Sequence, residues 1–266
     1  MATRFLKTHE GEIAYEEEGS GPVILCAPGL GDLRAQYRFL SPRLAAAGYR
    51  AVSMDLRGHG ESSLDWQDAS VAGVGSDMLE LLDHLNAGPA VLIGNSMAAG
   101  AAIWAAAEAP EKVKALVLLG PAVRGDVSSM NALLFRLLFA RPWGAGMWAK
   151  YYTSLYPTYK PADLSEYVNR LRTSLERPGR IEFMLRMILS SKSASEARIS
   201  KVHKPALVIM GSRDPDFKQP EEEARWVARG LNASYQIIAD AGHYPHVEMP
   251  ETTANSILAF LEKVEA

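Results

Sequence analysis

The residues best suited to chemistry in this 266-residue chain are one serine, one histidine of six, and two aspartates near the histidine's expected position. Ser96 lies in Ile93-Gly94-Asn95-Ser96-Met97-Ala98-Ala99-Gly100, directly after a strand-like run and at the head of an Ala-rich helical segment. A serine on a tight strand-to-helix turn sits in a strained backbone conformation, so its neighbours must be small, and Gly94 and Ala98 meet that need. Such a turn lifts the hydroxyl above the sheet and aims the positive end of the helix at the reaction centre. The same octapeptide also reads as a serine N-cap on a buried helix.

A hydroxyl becomes a nucleophile only beside a base. His243, in Asp240-Ala241-Gly242-His243-Tyr244-Pro245-His246-Val247-Glu248, follows the last strand-like run, and Gly242 frees its backbone. A loop there lies at the carboxyl end of the strands, the edge that Ser96 also occupies. His246, the competitor, leads into the last helix, whereas His9, His84 and His203 stand in peripheral or helical contexts. A carboxylate must orient the base. Asp214 and Asp216 both qualify, in Gly211-Ser212-Arg213-Asp214-Pro215-Asp216-Phe217. Asp214 is preferred because it comes sooner after its strand. The fixed φ of Pro215 should direct Asp216 toward solvent or the following helix.

The elements that must position these groups follow from periodicity. A hairpin is expected at 4–8 and 13–17, then strands at 23–27, 51–55, 90–93, 115–119, 206–210 and 235–238. Helical segments alternate with them at 33–47, 71–85, 97–109, 220–230 and 251–264. Continuous apolar strands alternating with helices mean a parallel sheet covered on both faces. Residues 124–204 break the alternation with four amphipathic segments, 130–140, 143–155, 164–177 and 180–190, divided by prolines and without a strand-like run. The division expected is a core of 1–123 and 205–266 and an all-helical lid of 124–204.

Composition narrows the function classes. A net charge of −3 with scattered basic residues offers no field for nucleic acid. No stretch approaches the roughly 18 apolar residues of a membrane span. The N-terminus has no apolar run of a secretory signal, and the single Cys26, inside an apolar strand, can form no intrachain disulfide. Both point to a cytoplasmic protein. No His/Cys/carboxylate cluster shows metal-ligand spacing, and neither metal nor cofactor is expected.

The order Ser, Asp, His on loops at one sheet edge resembles the α/β-hydrolase superfamily over nearly the whole chain. Asp55-Leu56-Arg57-Gly58-His59-Gly60-Glu61-Ser62 resembles the family's loop after its fourth strand, which the family uses structurally. Pro28-Gly29-Leu30-Gly31 stands at the oxyanion loop, with Pro28 in place of the usual histidine. The resemblance implies an α/β-hydrolase fold: a mostly parallel sheet with an N-terminal antiparallel hairpin, helices on both faces and an inserted helical lid. It also implies oxyanion donors at the backbone N–H groups of Leu30 and Met97. Serine rather than aspartate as nucleophile implies acyl transfer, and the Met- and Trp-rich lid an apolar pocket. The expectation is a hydrolase of small or medium apolar esters, lactones included. Carbon–carbon bond hydrolysis, cofactor-free perhydrolysis and small-molecule reception in signalling are the rival expectations.

Overall fold

The computed structural model describes residues 2–265. Eight strands form one sheet in the order β1-β2-β4-β3-β5-β6-β7-β8. They are β1 (Arg4–Lys7), β2 (Glu12–Gly19), β3 (Val23–Ala27), β4 (Arg50–Met54), β5 (Ala90–Asn95), β6 (Val113–Leu119), β7 (Ala206–Gly211) and β8 (Ser234–Ile238). β1 and β2 pair antiparallel, as do β2 and β4, and every later pair is parallel. The hairpin thus caps one edge of an otherwise parallel sheet, as expected.

Side chains of one strand feed two cores. Val23, Leu25 and Ala27 of β3 point to one face, and Ile24 and Cys26 to the other. The first face is covered by α2 (Val71–His84), α3 (Met97–Glu108) and α9 (Pro220–Leu231), the second by α1 (Ser41–Ala46) and α11 (Pro250–Glu265). A strand buried on both faces has no use for polar alternation, which is why these runs read as continuous apolar blocks. Cys26 is wholly buried, and desolvation pushes its thiol pKa up, away from the reactive thiolate.

The expected helix at 33–47 is in fact two pieces, a 3₁₀ turn at Arg34–Tyr37 and then α1. Pro42 occupies the first turn of α1. Proline lacks the N–H that would continue a preceding helix and suits a new start, so the chain re-nucleates there.

Among the described residues, 124–204 contribute no strand. They form α4 (Ser129–Leu138), α5 (Gly144–Ser154), α6 (Leu164–Glu176), α7 (Arg180–Ile188), α8 (Ser193–Glu196) and a 3₁₀ turn at Ile199–Lys201. α5, α6 and α7 build their own apolar cluster, including Trp148, Tyr152, Tyr167, Leu171 and Met184, and it extends into Tyr244 and Val247 beside the histidine loop. A short helix α10 (Pro245–Glu248) joins that loop to α11. None of the described helices is long and apolar enough to cross a membrane.

Candidate active site

The turn after β5 has the predicted strain. Ser96 adopts φ +54° and ψ −118° between β5 and α3. A non-glycine residue there costs about 1–3 kcal/mol and persists only where its surroundings over-determine it. Here the surroundings do so. Ser96 donates its N–H to the Leu119 carbonyl at 2.9 Å, and its own carbonyl accepts from Ala99 at 3.1 Å and Ala122 at 3.2 Å. A Cβ on Gly94 would stand 2.4 Å from the Ala98 carbonyl oxygen, so the small-residue requirement is a backbone collision.

His243 and Asp214 are each 2% exposed. The ring Nδ1 of His243 lies 2.8 Å from Asp214 Oδ2. Asp214 accepts there, which leaves Nε2 as the working nitrogen. Ser96 and His243 both line a single cavity of about 1190 Å³. His246, the alternative base, is also buried, but it stacks on Tyr37 at 5.1 Å and its burial pushes its pKa down to about 3. It packs against the core as a neutral ring outside that cavity.

Asp216 departs from expectation. The residue is exposed, as expected, but its carboxylate turns toward the histidine and lines the cavity rather than facing the following helix, with Oδ2 3.6 Å from His243 Nε2. Tyr151 of α5 donates its hydroxyl to Asp216 Oδ1, and the Asp216 N–H donates to Asp214 Oδ1 at 3.0 Å. Pro215 therefore folds the two aspartates around one imidazole, one carboxylate to each nitrogen. Burial opposes the imidazolium, but the charges of Asp214 and Asp216 and the Asp214 hydrogen bond outweigh it, carrying His243 up to about 9.

Asp214, Asp216 and His243 thus form the kind of cluster the sequence did not reveal, with ligand-type atoms all within 4.8 Å of one another. As a metal cage it fits poorly. The carboxylates address opposite nitrogens of the ring, and Nδ1 is already committed to Asp214. Only Nε2 and Asp216 remain to converge on an ion, fewer than the three protein ligands of a usual catalytic zinc site.

The loop after β3 has two anchors on the core. The Gly29 N–H donates to Gln36 Oε1 at 3.3 Å and the Gly31 N–H to His59 Nε2 at 3.1 Å. The amide between them, that of Leu30, has no acceptor among the described residues, nor has that of Met97 at the head of α3. These are the two N–H groups the resemblance implied as donors to an oxyanion, and Leu30 and Met97 both line the cavity with Ser96.

His59 answers the question raised by Pro28. Burial pushes its pKa down to about 4, so it is neutral, and its Nδ1 bonds the Arg57 carbonyl at 2.9 Å, leaving Nε2 free to accept. The support that the missing histidine would supply thus comes from another loop. Arg57 is a clamp: its guanidinium forks onto Asp77 of α2 with two 2.8 Å bonds. Gln36 further donates to Asn95 Oδ1 at 2.9 Å, and Asn95 Nδ2 donates to the Leu119 carbonyl at 2.9 Å and the His243 carbonyl at 3.4 Å. One amide side chain beside Ser96 therefore connects three loops. Only its place next to the serine hinted at this.

A strained serine above a doubly wound parallel sheet, with a buried imidazole–carboxylate pair on neighbouring loops, defines an α/β-hydrolase arrangement. Residues 24–256 match the family described as the alpha/beta hydrolase family, and the chain belongs to it. One relative is the dihydrolipoyllysine-residue acetyltransferase component of the acetoin cleaving system of Pseudomonas putida, 30% identical over 92% of this chain. The match spans 65% of that relative's length. A second is a 2-hydroxy-6-oxononadienedioate/2-hydroxy-6-oxononatrienedioate hydrolase of Burkholderia vietnamiensis, 28% identical over 96% of this chain and 92% of its own. Among solved structures, a thermophilic esterase from Thermogutta terrifontis superposes with a TM-score of 0.80 at 24% identity, covering 100% of both chains. At that identity the likeness is one of fold.

Proposed function

We propose that the protein is a serine hydrolase that cleaves small or medium apolar carboxylic esters, lactones included, through an acyl-enzyme. The observation carrying this reading is that Ser96, on its strained turn, and His243, held through Nδ1 by Asp214, face one cavity. His243 Nε2 takes the proton of the Ser96 hydroxyl as the oxygen attacks the acyl carbon. The carbonyl oxygen becomes an oxyanion received by the Leu30 and Met97 amides, and the imidazolium then protonates the leaving alcohol. Water repeats the sequence on the acyl-enzyme, assisted by the same imidazole. Asp214 keeps the ring oriented and stabilises its cation.

The cavity supports an apolar acyl group. Phe135, Leu138, Phe139, Met147, Trp148 and Met187, all from 124–204, contribute to its walls. We assign that segment as the lid, closing over a core of 1–123 and 205–266. Asp216 repels a substrate carboxylate placed beside the His243 ring, a local effect, because Arg124, Lys150 and Lys192 also line the cavity. The test is a panel of p-nitrophenyl esters and unsubstituted lactones of rising chain length. kcat/KM should climb from acetyl to medium acyl groups as methylenes enter the pocket, by up to about 0.8 kcal/mol each. Absence of turnover across the whole panel would overturn the reading.

A pH prediction comes with it. Proton abstraction needs neutral His243, and a pKa raised to about 9 keeps the imidazolium dominant below that pH. kcat/KM should therefore rise with pH, reach half its plateau near 9 and level off above it. Asp216→Asn removes one of the charges raising that pKa, so its acidic limb should move to lower pH with little change in the plateau. Rate profiles of the two proteins check this, and coincident limbs would show Asp216 to be electrostatically silent.

A further inference from the structure

The oxyanion loop is held from two sides, and the second side is the inserted helices. Trp148 of α5 donates its indole N–H to the Gly31 carbonyl at 3.0 Å. Asp32, the next residue, is 1% exposed and forms no salt bridge among the described residues. Instead a tyrosine from a different helix reaches each carboxylate oxygen. Tyr152 of α5 donates to Oδ2 at 3.0 Å, and Tyr167 of α6 donates to Oδ1 at 2.5 Å. Oδ1 also accepts the Leu33 N–H at 2.8 Å. Tyr152 in turn packs on Tyr244, the neighbour of His243, with ring centroids 5.0 Å apart. The Leu155 carbonyl at the end of α5 accepts the His243 N–H at 3.1 Å.

A carboxylate so deeply buried is costly, and an apolar side chain of similar size would pack there at less expense. What a carboxylate supplies and an apolar group cannot is direction: two acceptor oxygens that fix two hydroxyls and, through them, two helices. Burial drives the Asp32 pKa up to about 6 while the two tyrosine hydroxyls pull it back, so the group is strained electrostatically as well. Neither the attack nor the proton transfers use it.

We propose that Asp32 is a positioning residue through which α5 and α6 hold the oxyanion loop, so that the seating of the inserted helices sets the position of the Leu30 amide. The proposal deepens the serine-hydrolase reading and rests on it for its catalytic consequence. When the tyrosines grip Asp32, the Asp32 N–H donates to the Gly29 carbonyl, closing a turn that presents the Leu30 N–H between two anchored amides. When the grip is lost, the loop keeps its Gln36 and His59 anchors and the Trp148 bond to Gly31, but loses the two hydroxyls that tie Asp32 to α5 and α6. The helices over the pocket thereby become part of the oxyanion machinery rather than a passive cover.

The test uses Asp32→Asn and Tyr167→Phe, with the double variant Tyr152→Phe/Tyr167→Phe, in the whole protein. Three readouts are taken: ester kinetics, affinity for an alkyl trifluoromethyl ketone that forms an oxyanion on Ser96, and hydrogen exchange of the amides of 29–33. The expected result is a kcat lower by about 10- to 100-fold with KM within about threefold, since misplacement of a catalytic donor acts on the transition state. Ketone affinity should fall in parallel and exchange at 29–33 should rise, in proteins that still melt cooperatively. Tyr167→Phe deletes one hydroxyl from an aromatic core, so it serves should Asp32→Asn fail to fold. Unchanged exchange at 29–33, or a folded variant with unaltered kcat and ketone affinity, would overturn the proposal. Wild-type protein without ester turnover would instead remove the serine-hydrolase reading, while the exchange experiment still decides whether Asp32 couples helices to loop.

Discussion

Ser96→Ala is expected to abolish ester turnover, leaving below about a thousandth of the wild-type kcat, because loss of the nucleophile usually costs more than that. The fold should survive. The variant removes one oxygen and keeps the Cβ, and the turn is held by main-chain bonds from Leu119, Ala99 and Ala122 that do not involve the hydroxyl. The residue at φ +54° remains strained in alanine as in serine, so the melting temperature should change little. Steady-state kinetics on a p-nitrophenyl ester, alongside thermal denaturation, check both halves. Retained turnover in a folded Ser96→Ala protein would move the chemistry elsewhere in the cavity.

The second large effect is expected from Asp214→Asn. The amide that replaces Oδ2 offers an N–H to Nδ1, which favours the imidazole tautomer with its proton on Nε2, where it cannot accept from serine. A fall of about 10⁴-fold in kcat is expected at pH 7, by analogy with the handling of such an aspartate in serine proteases. Packing should be preserved, since asparagine is nearly isosteric and the Asp216 N–H still finds the Oδ1 acceptor. Asp216→Asn should lose far less at its plateau, because it faces Nε2 at 3.6 Å without holding the ring in a tautomer. The opposite ranking of these two variants would reassign the orienting carboxylate.

Much of this arrangement was legible from local signals. The strand–turn–helix context of Ser96 depends on residues within a few positions of it, and backbone sterics act at that range. Gly94 is small because a Cβ there would collide with the backbone of Ala98 and Ala99, just beyond the serine. The alternation of apolar runs and helices likewise follows from burial on both faces, a property each strand carries in its own composition. Even the absence of strands in 124–204 could be read from period alone.

The contacts that tune the site were not legible, for a physical reason. Asp216 bends into the cavity because Tyr151, 65 residues away in sequence, supplies a hydroxyl there. His59 supports Gly31 across 28 residues, and Tyr167 reaches Asp32 across 135. A buried polar group takes whatever partner the packed chain brings to it, and no spacing rule ties two such positions together. Residue identity and local backbone geometry thus specify the serine turn and the layers around the sheet. Which nitrogen of His243 faces which aspartate, and what holds the oxyanion loop, is decided only when helices distant in sequence pack against those loops.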